Sequence, residues 1–129
     1  MELRASGEDY LEAVLILGHR MRQVRAIDVA QYLGFAKTSV SHGLRLLRQG
    51  GFLTRDPSGY LYLTEVGRET AEKIYEKHRF FTQWLIEAGV APGAAEKDAC
   101  RMEHAISEES FGKLMQELNH SFSAERKTE

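Results

Sequence analysis

One short stretch, DACRMEHAI at residues 98 to 106, holds the only cysteine of the chain within one helical turn of a carboxylate and an imidazole. Cys100, Glu103 and His104 stand at i, i+3 and i+4, the spacing that puts side chains on one helix face. With successive residues turned by about 100°, Ala95, Ala99, Met102 and Ile106 form one apolar stripe, and Glu96, Cys100, Glu103 and His104 form a second, offset by roughly 120°. The thiol goes with the ionisable groups at the edge of the core, not with the alanines. Asp9 and Glu12 repeat the i, i+3 arrangement near the start of the chain, and His78 adds an imidazole from a third helical stretch. Thiolate, imidazole and carboxylates from three helices make a donor set able to hold a divalent transition metal. Each residue also has a plainer role. A lone cysteine is commonly a small buried apolar residue, His78 could be a helix-surface residue, and Asp9 and Glu12 suit the positive end of a helix dipole. The combination carries the metal reading.

A second chemistry lies in the charge. The chain of 129 residues has a net charge of −2. Between Arg20 and Arg55, however, seven cations (Arg20, Arg22, Arg25, Lys37, Arg45, Arg48, Arg55) face Asp28 alone, a local +6. The first 19 residues carry −3, from Glu2, Glu8, Asp9 and Glu12 against Arg4. A basic segment between acidic ones suggests one surface for polyanions and another for cations; a solvated basic face with no partner is the bland alternative. With 43% hydrophobic residues the chain can bury a core as one domain or two small helical layers. No apolar run approaches the roughly 18 residues that span a bilayer and no signal peptide opens the chain, so no membrane partner is expected. A single cysteine points to the reducing cytoplasm.

These groups need elements to position them. Ser6 reads as the N-cap of a first helix through Met21, with acids in its first turn. Ile27, Ala30 and Leu33 recur at helical spacing until Gly34 stops the helix. In KTSVSHGLRLLRQGG, Val40, Leu44 and Leu47 face one way and leave Lys37, Thr38, Ser41, His42, Arg45 and Arg48 facing out, with no acid among them. FLTRDPSGYLYLT reads as a hairpin around Asp56, Pro57, Ser58 and Gly59. Thr64 caps a long helix that Gly89 closes, Pro92 opens the next, and Ser107 caps a last one through about Asn119. Two short helices joined by a glycine turn, followed by a hairpin, give the order of a winged helix-turn-helix. The fold class expected is mostly α with a small β-hairpin wing. The domains are a winged helix-turn-helix over 1–63, a linking helix over 64–89, a helical metal-binding and dimerisation region over 90–120, and a disordered tail over 121–129.

EDYLEAVLIL, VAQYLGFAKTSVSHGLRLL, YLYLTEVGRETA and DACRMEHAIS together resemble the diphtheria-toxin-repressor and manganese-transport-regulator family of metal-dependent transcriptional repressors, over about residues 6 to 118. The resemblance implies a homodimer, metal ligands from the first, linking and CRMEH helices, and a short form without the SH3-like third domain. By position, Asp9 and Glu12 match first-helix ligands of the manganese branch, where the iron branch has a methionine in place of Asp9. His78, Glu103 and His104 match ligands of both branches. Cys100 matches the iron branch, where simple manganese regulators have a bridging glutamate. Thr82 stands where the iron branch has a glutamate, and Glu96, a weaker candidate, where it has a histidine.

The resulting expectation is a regulator in which Mn²⁺ or Fe²⁺ couples two sites. The cation joins Asp9 and Glu12 to Cys100, Glu103 and His104, and two reading heads then match a palindromic operator in double-stranded DNA. Thr38, Ser39, Ser41 and His42 are candidates for base or backbone contacts, and Lys37, Arg45, Arg48 and Arg55 for phosphate contacts. The rival is a winged-helix regulator sensing oxidants through Cys100, which needs an exposed, readily ionised thiol that a neighbouring carboxylate opposes. A carboxylate-bundle enzyme would want a pair of Glu-x-x-His motifs from two helices, and the chain lacks such a pair, so no enzyme is expected.

Overall fold

The computed structural model describes residues 3–127. Its elements are α1 (Ala5–Arg20), α2 (Ala26–Leu33), α3 (Lys37–Gln49), β1 (Leu53–Arg55), β2 (Leu61–Leu63), α4 (Glu65–Glu87), α5 (Pro92–Ala105) and α6 (Glu108–Lys127). The expected class holds: helices with one small antiparallel hairpin. Two compact units divide between Glu76 and Lys77, inside α4. The sequence reading instead placed the whole linking helix between two domains.

In the first unit, α1 supplies the largest share of the core, with Leu11, Ala13, Val14 and Leu15 almost fully buried. Ser6 is not its N-cap. The cap position is Arg4, in extended conformation and without a side-chain bond, and Ser6 sits inside the first turn. The helix closes early because the Glu8 N–H donates to the Arg4 carbonyl at 3.0 Å, and Glu8 places a negative charge at the positive end of the helix. α2 buries Val29 and Ala30, while Ile27, read as part of the inner stripe, is 39% exposed. An eight-residue helix holds barely two turns, so a rotation of its buried face by one residue is enough to expel Ile27.

Gly34 ends α2 at φ 71°, a left-handed conformation that a Cβ disfavours, and its N–H reaches the Ala30 carbonyl at 2.9 Å. α3 then turns Val40, Leu44 and Leu47 inward, as their spacing predicts. The wing follows with Leu53 opposite Leu63 and Arg55 opposite Leu61. Asp56 organises its tip by accepting the Tyr60 N–H at 2.9 Å and the Tyr62 hydroxyl at 3.1 Å. The Leu61 N–H donates to the Val24 carbonyl at 2.7 Å, tying the wing to the segment ahead of α2.

Thr64 caps α4 as expected. Its hydroxyl donates to the Gly51 carbonyl at 2.6 Å and accepts the Gly67 N–H at 3.0 Å. The capped turn lies so close to the preceding chain that a Cβ on Gly67 would fall 1.9 Å from the Phe52 carbonyl oxygen. Glycine is required there by contact, not by conformation.

The second unit has a smaller, aromatic core. Phe81, Ala99 and Phe111 are buried, with Phe80, Met102, Ile106 and Met115 around them. Phe80 meets Phe111 edge-on at 5.3 Å, and Trp84 tilts against Phe80 at 6.2 Å. Lys77, 6% exposed, pairs with Glu108 at 2.6 Å and lies 6.0 Å above the Phe111 ring. Pro92 occupies the first turn of α5, and Ser107 accepts the Ser110 N–H at 3.1 Å at the head of α6. α6 extends to Lys127 rather than ending near Asn119, since SFSAERK contains no glycine or proline to stop it. Residues 128–129 of the expected tail lie outside the described residues.

Candidate metal centre and nucleic-acid interface

α4 and α5 bring five of the sequence-derived ligands together within the second unit. His78 Nδ1 lies 3.0 Å from Glu103 Oε2, and His104 Nε2 lies 3.5 Å from Glu103 Oε1. Glu96 approaches the other side of His78, at 3.9 Å from Nε2. One ligand atom each of Cys100, Glu103 and His104 can be chosen so that all lie within 4.8 Å of one another. Glu103 is therefore the hub, shared by both imidazoles. The helical-wheel reading put it at the edge of the core, yet it is 1% exposed. Small neighbours explain the difference: Ala95 and Ala99, both 0% exposed, let α5 approach its surroundings closely enough to submerge Glu103.

Burying a carboxylate is costly unless the charge is met. Here the His78 and His104 imidazoles lie 3.0 and 3.5 Å from it, and a thiol stands one turn away. Thiolate, imidazole and carboxylate are each ligands once deprotonated, so the donor chemistry fits a divalent transition ion. Glu96, with a side chain 70% exposed, sits at the rim. Thr82 is committed elsewhere, donating its hydroxyl to the His78 carbonyl at 2.7 Å. That bond leaves Thr82 a support of the helix at His78 rather than a ligand. Asp9 and Glu12 stand one turn apart on α1 in the first unit, Asp9 half-buried and Glu12 8% exposed. Glu12 is the eighth residue of α1, beyond the first turn, so a buried carboxylate there does more than complement the helix dipole.

The first unit carries the basic surface. An open groove of about 700 Å³ runs between α3 and the wing, and no carboxylate lines it. Lys37, Thr38, Ser41, His42, Arg45 and Arg48 face it from α3, and Arg55 from the wing. Of the expected interface residues only Ser39 is not part of the lining, although it is exposed on the same helix. Arg48 is half-buried, its aliphatic stem covered, while the others on α3 are exposed. Hydroxyls near a helix start together with a fork of cations suit a phosphate backbone and the base edges beside it.

Arg25 was missed. It lines the same groove, with its guanidinium stacked 4.5 Å over the Tyr60 ring and its backbone N–H donated to Asp28 at 2.9 Å. Its charge is plain in the sequence, but it stands outside both α3 and the wing. A cation one residue before a helix and a tyrosine in a hairpin gave no reason to pair them until Val24 and Leu61 proved to be bridged. Among the described residues no helix is long and apolar enough to cross a membrane.

Residues 64–125 match the family model described as the iron dependent repressor, metal binding and dimerisation domain. The chain is 32% identical over 109 residues to an uncharacterised helix-turn-helix-type transcriptional regulator of Methanocaldococcus jannaschii, covering 83% of this chain and 87% of that one. It is 32% identical over 104 residues to the transcriptional regulator MntR of Escherichia coli, covering 81% and 67%. A manganese-dependent transcriptional repressor in complex with manganese superposes with a TM-score of 0.79 at 23% identity, over 88% of this chain and 52% of that one. The chain thus spans about half the length of that repressor.

Proposed function

We propose that this protein is a metal-operated DNA-binding regulator, and the premise is that the chain belongs to the diphtheria-toxin-repressor and manganese-transport-regulator family of metal-dependent transcriptional repressors. The observation that carries the proposal is the buried Glu103 shared by His78 and His104, in a chain that also presents a carboxylate-free basic groove. His78, Cys100, Glu103 and His104 hold the ion, with Glu96 at the rim and Asp9 and Glu12 contributed from α1. When bound, Mn²⁺ or Fe²⁺ supplies the positive charge that lets these carboxylates and the thiolate share one place. Without the ion, carboxylates gathered as its donors would repel one another. Thr38, Ser39, Ser41 and His42 meet bases or backbone, and Lys37, Arg45, Arg48 and Arg55 meet phosphates, joined by Arg25. Two copies of the chain place two such heads on a palindromic operator, about one DNA turn apart.

A coupling of about 1–3 kcal/mol between ion and operator changes DNA affinity roughly 5–150-fold. Cys100 favours ions softer than Mn²⁺, and carboxylates the reverse, so selectivity rests on geometry and supply. Anaerobic titration of the ion-stripped protein with Mn²⁺ and with Fe²⁺, read by operator binding, tests the proposal. Equal affinity of stripped and loaded protein for its operator ends it. Peroxide treatment under chelator separates the oxidant-sensing rival, which requires DNA binding to change through Cys100 with no ion present.

A further inference from the structure

α3 carries a detail that a surface built only for phosphates does not require. Arg45 Nη2 lies 3.0 Å from His42 Nδ1, with both side chains exposed on the groove wall. A guanidinium offers N–H donors only and keeps its charge throughout the pH range of a folded protein. In this pair, then, Arg45 donates and His42 Nδ1 accepts. A ring nitrogen that accepts carries no proton, so this contact belongs to the tautomer of His42 with its proton on Nε2. The geometry of the ring turns Nε2–H away from Arg45. Hydroxyls such as Thr38 and Ser41 can donate or accept as the partner demands. In the tautomer that accepts from Arg45, the outward edge of His42 is a donor only, held beside a permanent cation.

We propose that His42, kept in this tautomer by Arg45, reads a guanine in each half of the operator, donating from Nε2–H to N7. The inference rests on the DNA-binding reading above and names the base that the reading head selects. Guanine presents N7 and O6 to the major groove, both acceptors, whereas adenine sets an amino group beside N7 and cytosine offers a donor amino group. A neutral N–H donor next to a guanidinium meets attraction at both acceptors of guanine and repulsion from the amino groups of adenine and cytosine. Thymine offers one acceptor next to its methyl group. Arg45 acts as a positioning residue as well as a cation. Without it, the imidazole can exchange tautomers and present an acceptor to the base.

The test uses the full chain loaded with Mn²⁺ and a pool of randomised duplexes, from which bound sites are enriched. The wild type is expected to enrich one fixed guanine per half-site, and His42→Ala to lose that preference. Replacing this guanine by 7-deazaguanine removes N7 and keeps the base pair; wild-type affinity is expected to fall roughly tenfold, with His42→Ala unchanged by the replacement. Arg45→Lys keeps the charge and loses the planar fork. It is expected to lose most of the sensitivity to 7-deazaguanine while keeping the salt dependence. Wild-type indifference to 7-deazaguanine overturns the inference, as does full sensitivity in either variant. Failure of the loaded wild type to enrich any sequence removes the DNA-binding reading itself and this assignment with it. Specific, ion-dependent sites that ignore the N7 change remove only the assignment.

Discussion

The two units treat polar side chains in opposite ways. In the first, an aliphatic core drawn from Leu11, Val29, Val40, Leu44, Leu53 and their neighbours is complete on its own, and the basic residues stand outside it. In the second, the core is little more than Phe81, Ala99 and Phe111, and a glutamate is buried with it. A groove whose working residues are exposed can change them at small cost to folding, since surface substitutions stay within about 0.5 kcal/mol. A centre built into the interior cannot. In the proposed centre, binding the ion and packing the helices would be one event, because the same buried carboxylate, Glu103, would serve both.

The comparison can be broken most decisively at its hub. Glu103→Gln keeps the shape and one hydrogen bond but removes the charge. Affinity for Mn²⁺ should fall by well over tenfold, and the ion dependence of DNA binding should disappear. Calorimetric titration of the stripped variant measures the first and operator binding with and without Mn²⁺ the second; an intact ion response would remove Glu103 from the centre. Next in size is Gly67→Ala in the first unit. Its Cβ would collide with the Phe52 carbonyl, a backbone atom that cannot swing aside, so stability should fall by roughly 1–3 kcal/mol in urea unfolding. A loss below about 0.5 kcal/mol would mean that the junction between wing and α4 is looser than it looks.

Arg48→Ala sharpens the other side of the comparison. Binding should weaken for every DNA sequence alike, with the slope of log K against log salt reduced by about one, while the Mn²⁺ affinity is untouched. An unchanged slope removes Arg48 from the phosphate contacts. The smallest effect is at the wing tip. The Tyr60 N–H holds the Asp56 carboxyl below its ordinary value of 3.8, with further help from the Tyr62 hydroxyl. The Tyr62 hydroxyl is in turn pushed up, by desolvation first and by the carboxylate it donates to second. A depressed folded value means that the Asp56 contribution is complete above the unfolded value and is lost as pH falls through the folded one. The Tyr60 amide resonance should therefore titrate with a midpoint under 3.8, and Asp56→Asn should abolish that titration. A midpoint at or above 3.8 contradicts the wing geometry.

Much of this was legible in residue order because the signals were local. Gly34, Thr64, Pro92 and Ser107 each terminate or cap an element through atoms a few residues away, and all four stand where their chemistry put them. The inner face of α3 was legible because thirteen residues fix a helical phase. α2 is too short to fix one, and Ile27 escaped. The candidate ligands of α5 stood out in the sequence because thiol, carboxylate and imidazole share one stripe. How deeply Glu103 sinks did not, since it depends on how closely Ala95 and Ala99 let other helices approach. Arg25 on Tyr60 and Arg45 on His42 are contacts between side chains, one across the wing and one along a helix. Composition recorded their charges and was silent on their partners.

The aromatic residues have one further consequence. All five tyrosines, Tyr10, Tyr32, Tyr60, Tyr62 and Tyr75, precede Glu76, and the one tryptophan, Trp84, follows Lys77 on the helix that bears His78. Indole emission excited at long wavelength therefore comes wholly from the half that holds His78 and Glu103, and phenol absorbance wholly from the half with the groove. An unlabelled sample carries a separate optical channel for each.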